Sequence, residues 1–136
     1  MANINEAKVN SLVTRIVEQN MTVTEHGVAY IKITDDIINK FKVDASSAGN
    51  LVNNLNYIEE ALVWMTISED VKNELIKISI RSRGPEINKI AENYNGGGHK
   101  LASGARVKNK EEVDFLINEL DRACQEYIEK EEAKWK

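Results

Sequence analysis

A chain of 136 residues with 42% hydrophobic and 29% charged residues has the size and balance of one domain with a real core. Its net charge of −4 argues against non-specific binding to long nucleic acid, yet leaves room for a basic pocket holding one or two phosphates. No run of about 18 apolar residues exists to span a membrane, "MANINEAKVN" lacks the features of a secretory signal, and one cysteine, Cys124, cannot staple a fold or build a metal site, which suits a reducing cytosol.

In chain order, residues 4–20 read as an amphipathic helix, with Val9, Leu12, Val13, Ile16 and Val17 on one face. "MTVTEHGVAYIKIT" is extended and β-branched, turning at His26-Gly27. "DDIINKF" reads as a short helix capped by Thr34, and residues 45–56 as a weaker one, interrupted by Gly49. "EALVWMTIS" is apolar on both faces, the mark of a central strand. "ELIKISIRS" alternates: Leu75, Lys77, Ser79 and Arg81 face one way, Ile76, Ile78 and Ile80 the other. The polar "SEDVKN" between them predicts an antiparallel hairpin. Pro85 is placed to open a helix over "EINKIAENY" at its first turn, and the glycines end it. "GARVKN" reads as a short edge strand. Residues 110–134 form a long helix with Val113, Leu116, Ile117, Leu120, Ala123, Tyr127 and Ile128 on one face. The predicted class is α+β: a small mixed sheet flanked by helices, closed by a long C-terminal helix, in a single domain over residues 1–136.

The chemistry concentrates in "ENYNGGGHKLASGARV", Glu92 to Val107. Side chains keep anions away from backbone amides; Gly96, Gly97 and Gly98 remove that obstacle and allow the positive φ values that turn amides inward. A helix starting near His99 would add its free N–H groups. His99 would then donate to a phosphate oxygen and Lys100 would neutralise charge nearby, with Ala102, Ser103 and Gly104 packing closely on the sheet. One glycine would suffice for a helix stop, and the spacing fits neither a P-loop nor a dinucleotide fingerprint.

A second element points the same way. In "SIRSRG", Arg81 and Arg83 stand at the C-terminal end of a strand, two residues apart and therefore on one face. The planar guanidinium fork pairs bidentately with phosphate. Other residues carry less. His26 reads as a solvated turn residue, Cys124 as a small core residue, and "EKEEAKWK" as a solvated helix end. With two histidines and no clustered Asp/His motif, the residues assemble neither a metal centre nor a nucleophile–base pair.

"IKISIRSRG" followed by "INKIAENYNGGGHKLASGA" closely resembles the C-terminal DHH-associated domain of bacterial DHH phosphoesterases. The resemblance is specific over Lys77 to Val107, and the run after His99 is most similar to the oligoribonuclease and phosphoadenosine-phosphate phosphatase branch. It implies a substrate-binding domain whose manganese ions and Asp-His-His motif belong to a preceding catalytic domain, with no cofactor in this chain. It also implies that this chain by itself is catalytically silent. Matched positions assign Arg81 and Arg83 to the substrate phosphate or base, Gly96 to Gly98 to amide presentation, and His99 to the phosphate. Ser82, Lys100, Ser103 and Gly104 would line or support the pocket. The expected partners are a short oligoribonucleotide or phosphoadenosine phosphate and the N-terminal DHH domain, in the cytoplasm, away from any membrane; a homodimer is compatible with this. Asn95 departs from the family pattern, which often has glycine there. The rival readings are a nucleotide- or nucleic-acid-binding module without hydrolase activity, and a structural domain whose glycine loop is only a turn.

Overall fold

The computed structural model describes residues 19–34, 36 and 59–135. The helices expected over residues 4–20, "DDIINKF" and 45–56 lie outside the described residues, save Gln19, Asn20 and Asp36. Six strands form one mixed sheet: β1 (Met21–Val23), β2 (Val28–Ile33), β3 (Val63–Asp70), β4 (Leu75–Ser82), β5 (Gly97–His99) and β6 (Ala102–Val107). Their spatial order is β1-β2-β3-β4-β6-β5. Every pair is antiparallel except β2–β3, which is parallel. Among the described residues two helices lie wholly within the described segments, α1 (Asn88–Glu92) and α2 (Lys110–Ala133). The α+β class stands.

The two-sided apolarity of "EALVWMTIS" has its expected cause. β3 runs through the middle of the sheet, and Val63, Trp64, Met65, Thr66 and Ile67 are all buried. The β3–β4 hairpin pairs Val63 with Ser82 through Asp70 with Leu75. This register puts Val63, Met65 and Ile67 on the same side as Ile78 and Ile80. Those side chains form the core with Ala105, Val107 and the apolar stripe of α2: Val113, Leu116, Ile117, Leu120 and Cys124. Cys124 is wholly buried, and burial pushes its thiol up to about 12, so it is a packing residue without thiolate chemistry.

Local signals fix where α2 begins. Asn109 Oδ1 accepts from Glu112 N at 2.9 Å, and Glu112 Oε2 reaches back to accept from Lys108 N at 2.8 Å. This reciprocal arrangement satisfies amides that the first turn leaves without partners. Glu111 and Glu112 in the first turn and Lys130 in the last complement the helix dipole.

Two expectations need correction. The helix after Pro85 is only five residues long. Pro85 precedes it rather than opening it, because Ile87 N donates to Lys100 O at 2.8 Å and holds that stretch out of the helix. "GARVKN" is not an edge: β6 lies inside the sheet, between β4 and β5, and the glycine-bearing β5 is the edge.

Candidate functional site

The glycines do not stop the helix. Asn95 takes the left-handed conformation (φ 58°), and Gly96 N donates back to Ala91 O at 3.1 Å, a Schellman-type closure with asparagine in place of glycine. The three glycines are thereby left for another task, which is to build β5 against β6. Gly97 (φ 154°) and Gly98 (φ 141°) occupy backbone conformations that L-residues avoid. A Cβ on Gly96 would collide with Gly104 O, and one on Gly98 would stand 2.7 Å from Ala102 O. Glycine is required because the ribbon lies directly on its neighbour.

This differs from the sequence expectation in two respects. No helix starts near His99, which ends β5. The glycines also do not curl into a nest of convergent amides: Gly96 N is spent on Ala91, and β5 is extended. As an edge strand it turns alternate peptide groups outward, which is a sparser presentation.

Strand register explains which side chains meet. Trp64 pairs with Arg81, Arg81 with Ala102, and Ala102 with His99. These four residues form one lateral row across β3, β4, β6 and β5, on the face turned away from α2. Paired residues share a face, so Arg81 and His99, 18 positions apart in the numbering, look out on the same surface. Arg83 joins them. Its backbone continues the pairing by donating to Leu62 O at 2.9 Å, and its guanidinium lies over the Trp64 ring, 4.8 Å from the centroid. Cation–π stacking on a buried indole holds the planar group in one orientation. Arg81 Nη1 donates to Ile80 O at 3.0 Å, which steadies its side chain.

The remaining predicted residues have supporting positions. Ser82 is buried; its hydroxyl donates to Pro85 O at 2.6 Å and accepts from Gly84 N at 3.1 Å, so it shapes the bend after β4 rather than lining a pocket. Ser103 points to the core side and donates to His99 O at 2.7 Å, pinning the end of β5 from behind. Lys100 is exposed and faces Glu86 at 3.5 Å. Gly104 lies opposite Gly97 on the open face, where the absence of side chains keeps the surface bare.

Sequence reading missed two features. Trp64, one of the apolar residues of β3, is also the bed on which Arg83 lies. His26, read as solvated, is tied to α2: its Nδ1 meets Asp121 Oδ2 at 2.6 Å, and its amide donates to Asp121 Oδ1 at 2.9 Å. Thr24 Oγ1 donates to the same carboxylate and accepts from Val28 N. The hydrogen bond with Asp121 raises the His26 pKa above its ordinary value. Burial pushes Asp121 upward, but the hydrogen bonds from Thr24 and His26 outweigh it and hold that carboxyl below the usual range. This latch connects to the row through main chain: Gly27 O accepts from Leu62 N and Val63 N, and Leu62 O from Arg83 N.

The chain matches the DHHA1 domain over residues 25–126. It belongs to the DHHA1 family. One similar protein is the bifunctional oligoribonuclease and PAP phosphatase NrnA of Bacillus subtilis, 36% identical over 124 residues, covering 91% of this chain but 38% of that protein. The Mycoplasma genitalium NrnA is 33% identical over 96 residues, 71% of this chain and 30% of that protein. This chain therefore spans 30–38% of the length of these relatives. Among solved structures, an exopolyphosphatase-related protein from Bacteroides fragilis superposes with a TM-score of 0.68 at 27% identity, over 92% of this chain and 36% of that one. The C-Ala domain of Aquifex aeolicus alanyl-tRNA synthetase shares the fold, with a TM-score of 0.51 at 14% identity over 76% of this chain and 95% of that domain. The glycine ribbon, the arginine strand and His99 all lie inside the DHHA1 match.

Proposed function

We propose that this DHHA1 domain is the substrate-gripping part of a manganese-dependent DHH phosphoesterase that hydrolyses short oligoribonucleotides and phosphoadenosine phosphate in the cytoplasm. The observation that supports it best is the row on the face away from α2, where Arg81, His99 and the Trp64-stacked Arg83 share one surface with the glycine ribbon. Its donors suit a phosphate: the guanidinium groups offer paired N–H bonds and charge, the imidazole one directed N–H, and the glycines close approach. The resemblance to the oligoribonuclease and PAP phosphatase proteins names the substrate class.

Among the described residues no three His, Cys, Asp or Glu side chains come together as a metal-holding group. In this reading the manganese ions sit in a DHH domain N-terminal to the DHHA1 domain. The work of this chain is positioning. Holding the phosphate fixed in line with the attacking water removes the orientational cost of the reaction, which supplies much of the rate. Among the described residues no helix is long and apolar enough to cross a membrane.

Calorimetric titration of this chain with a 5′-phosphorylated dinucleotide and with phosphoadenosine phosphate tests the assignment. Binding should weaken roughly tenfold or more in both His99→Ala and Arg83→Ala, the value of a lost charge-assisted hydrogen bond. Binding that both variants retain in full would refute the site. Manganese-dependent turnover by this chain, abolished by His99→Ala, would refute the division of labour.

A further inference from the structure

Beyond the row that carries Arg81 and His99, the open face continues in the same register. Two residues along each strand comes a second row, Thr66, Ser79, Gly104 and Gly97; two further comes a third, Ser68, Lys77 and Arg106. The middle row carries no bulk at its outer end, where Gly104 and Gly97 face each other. There the surface sinks into a shallow depression of about 430 Å³, floored by these glycines and flanked by Lys77, Ser79 and Arg106. The depression does not touch His99 or either arginine of the proposed site. It begins where that site ends.

Lys77 and Arg106 are direct cross-strand partners. Two cations at that spacing repel each other, so the pair gains by meeting an anion. Among the described residues the Arg106 guanidinium has no ion-pair partner, while its backbone is fixed at both ends: its amide donates to Tyr94 O at 2.9 Å and its carbonyl accepts from Asn95 Nδ2 at 3.3 Å. Lys77 Nζ rests 3.3 Å from Asp70 Oδ2, and its side chain is 54% exposed, a solvent-screened contact that a phosphate can replace. Glu92, whose Cγ would lie 3.7 Å from a Cβ on Gly97, is the other carboxylate at the rim. With roughly 3.3–3.4 Å of rise per residue, the first and third rows stand about 13 Å apart. That is comparable with the step between phosphates two nucleotides apart on an extended strand.

We infer that Lys77 and Arg106 form a second phosphate station, engaged by oligonucleotides of three or more units and out of reach of a mononucleotide bisphosphate. The inference rests on the proposed function, since the first station is the Arg81–His99 row. A phosphate held there sends the chain over the glycine end of the middle row, where Gly104 and Gly97 carry no side chain of their own, to the two cations beyond. A basic groove that tracks backbone phosphates without reading bases is how single strands are commonly held. The station gives one domain two affinities: a single grip on phosphoadenosine phosphate and a double grip on short RNA.

The test titrates this chain, and its Lys77→Ala/Arg106→Gln double variant, with phosphoadenosine phosphate and with a 5′-phosphorylated pentanucleotide at several salt concentrations. His99→Ala serves as the control for the first station. The double variant should lose roughly tenfold in pentanucleotide affinity, its salt slope should fall by about 0.7, the value of one single-strand phosphate contact, and its affinity for phosphoadenosine phosphate should stay unchanged. Equal losses for both ligands would overturn the station as a length-dependent site, and so would pentanucleotide binding indifferent to the substitutions. If phosphoadenosine phosphate binding depends on His99 while the pentanucleotide ignores Lys77 and Arg106, only the second station falls. If wild-type protein binds neither ligand, the first falls with it.

Discussion

On β4 and β6 the two faces of the sheet carry opposite kinds of residue, whereas β3 is buried on both. On β4, Ile76, Ile78 and Ile80 turn toward α2 and the core, while Lys77, Ser79 and Arg81 turn away. On β6, Ala105 and Val107 face the core, while Gly104 and Arg106 face out. One face is filled with branched apolar side chains that fix the sheet against α2. The other, toward β6 and β5, holds small residues, glycine backbone and a few cations. Stability and recognition are thus separated by strand alternation, and a substitution at one position should affect one property and spare the other.

The largest expected effect tests the apolar side. Leu120 is fully buried in the core, and Leu120→Ala should cost about 2–5 kcal/mol by denaturant unfolding. His99→Ala should leave stability within about 0.5 kcal/mol, as exposed positions usually do. Comparable destabilisation by both would erase the division. Gly96→Ala probes the seam between the faces, because its Cβ meets Gly104 O. Forcing the strands apart there should cost about 1–3 kcal/mol and weaken ligand binding as well; a fully stable variant would mean that the close approach is not needed. Asn109→Ala removes the cap of α2, outside the Arg81–His99 row, and should cost about 1 kcal/mol with affinity for phosphoadenosine phosphate unaltered.

The smallest expected effect is a pH dependence. His26 has a raised pKa because of Asp121, so its contribution is complete below about 6.5, the unfolded value, and is lost as pH rises through the raised folded value. Asp121 is held low, so its contribution is present above about 3.9 and is lost as pH falls through the depressed folded value. The latch is therefore strongest between about pH 4 and 6.5. His26→Gln should flatten the change in thermal midpoint on the alkaline side of that window. A profile identical to wild type there would show that the pair contributes nothing.

Much of this was legible in the sequence because it is local. Alternation over "ELIKISIRS" gave β4 its two faces, and the three-four spacing of Val113, Leu116, Ile117 and Leu120 gave α2. What could not be read depends on partners far along the chain. The cue for His26 lay 95 residues away in Asp121. The interior position of β6 follows from β5 adding outside it, and the two glycines of β5 carry no β-propensity to announce a strand. The helix after Pro85 came out shorter than its pattern because Lys100 O claims the Ile87 amide. Arg81, Arg83 and His99 were identified as anion-directed residues, but the row that joins them exists only through strand register. Alternation put Lys77 on the Arg81 face and Arg106 lies in the run that carries His99, but nothing local sets the two side by side; that pairing follows from the β4–β6 register.

Both borders of the sheet are three-residue strands, Met21–Val23 on one side and Gly97–His99 on the other. A long exposed border invites a second chain to add its own strand, the first step toward fibres. Borders this short offer few outward peptide groups along which a neighbour could pair, and one of them is built on the positive φ values of Gly97 and Gly98. Short borders therefore limit how far a second chain could extend the sheet by adding a strand of its own.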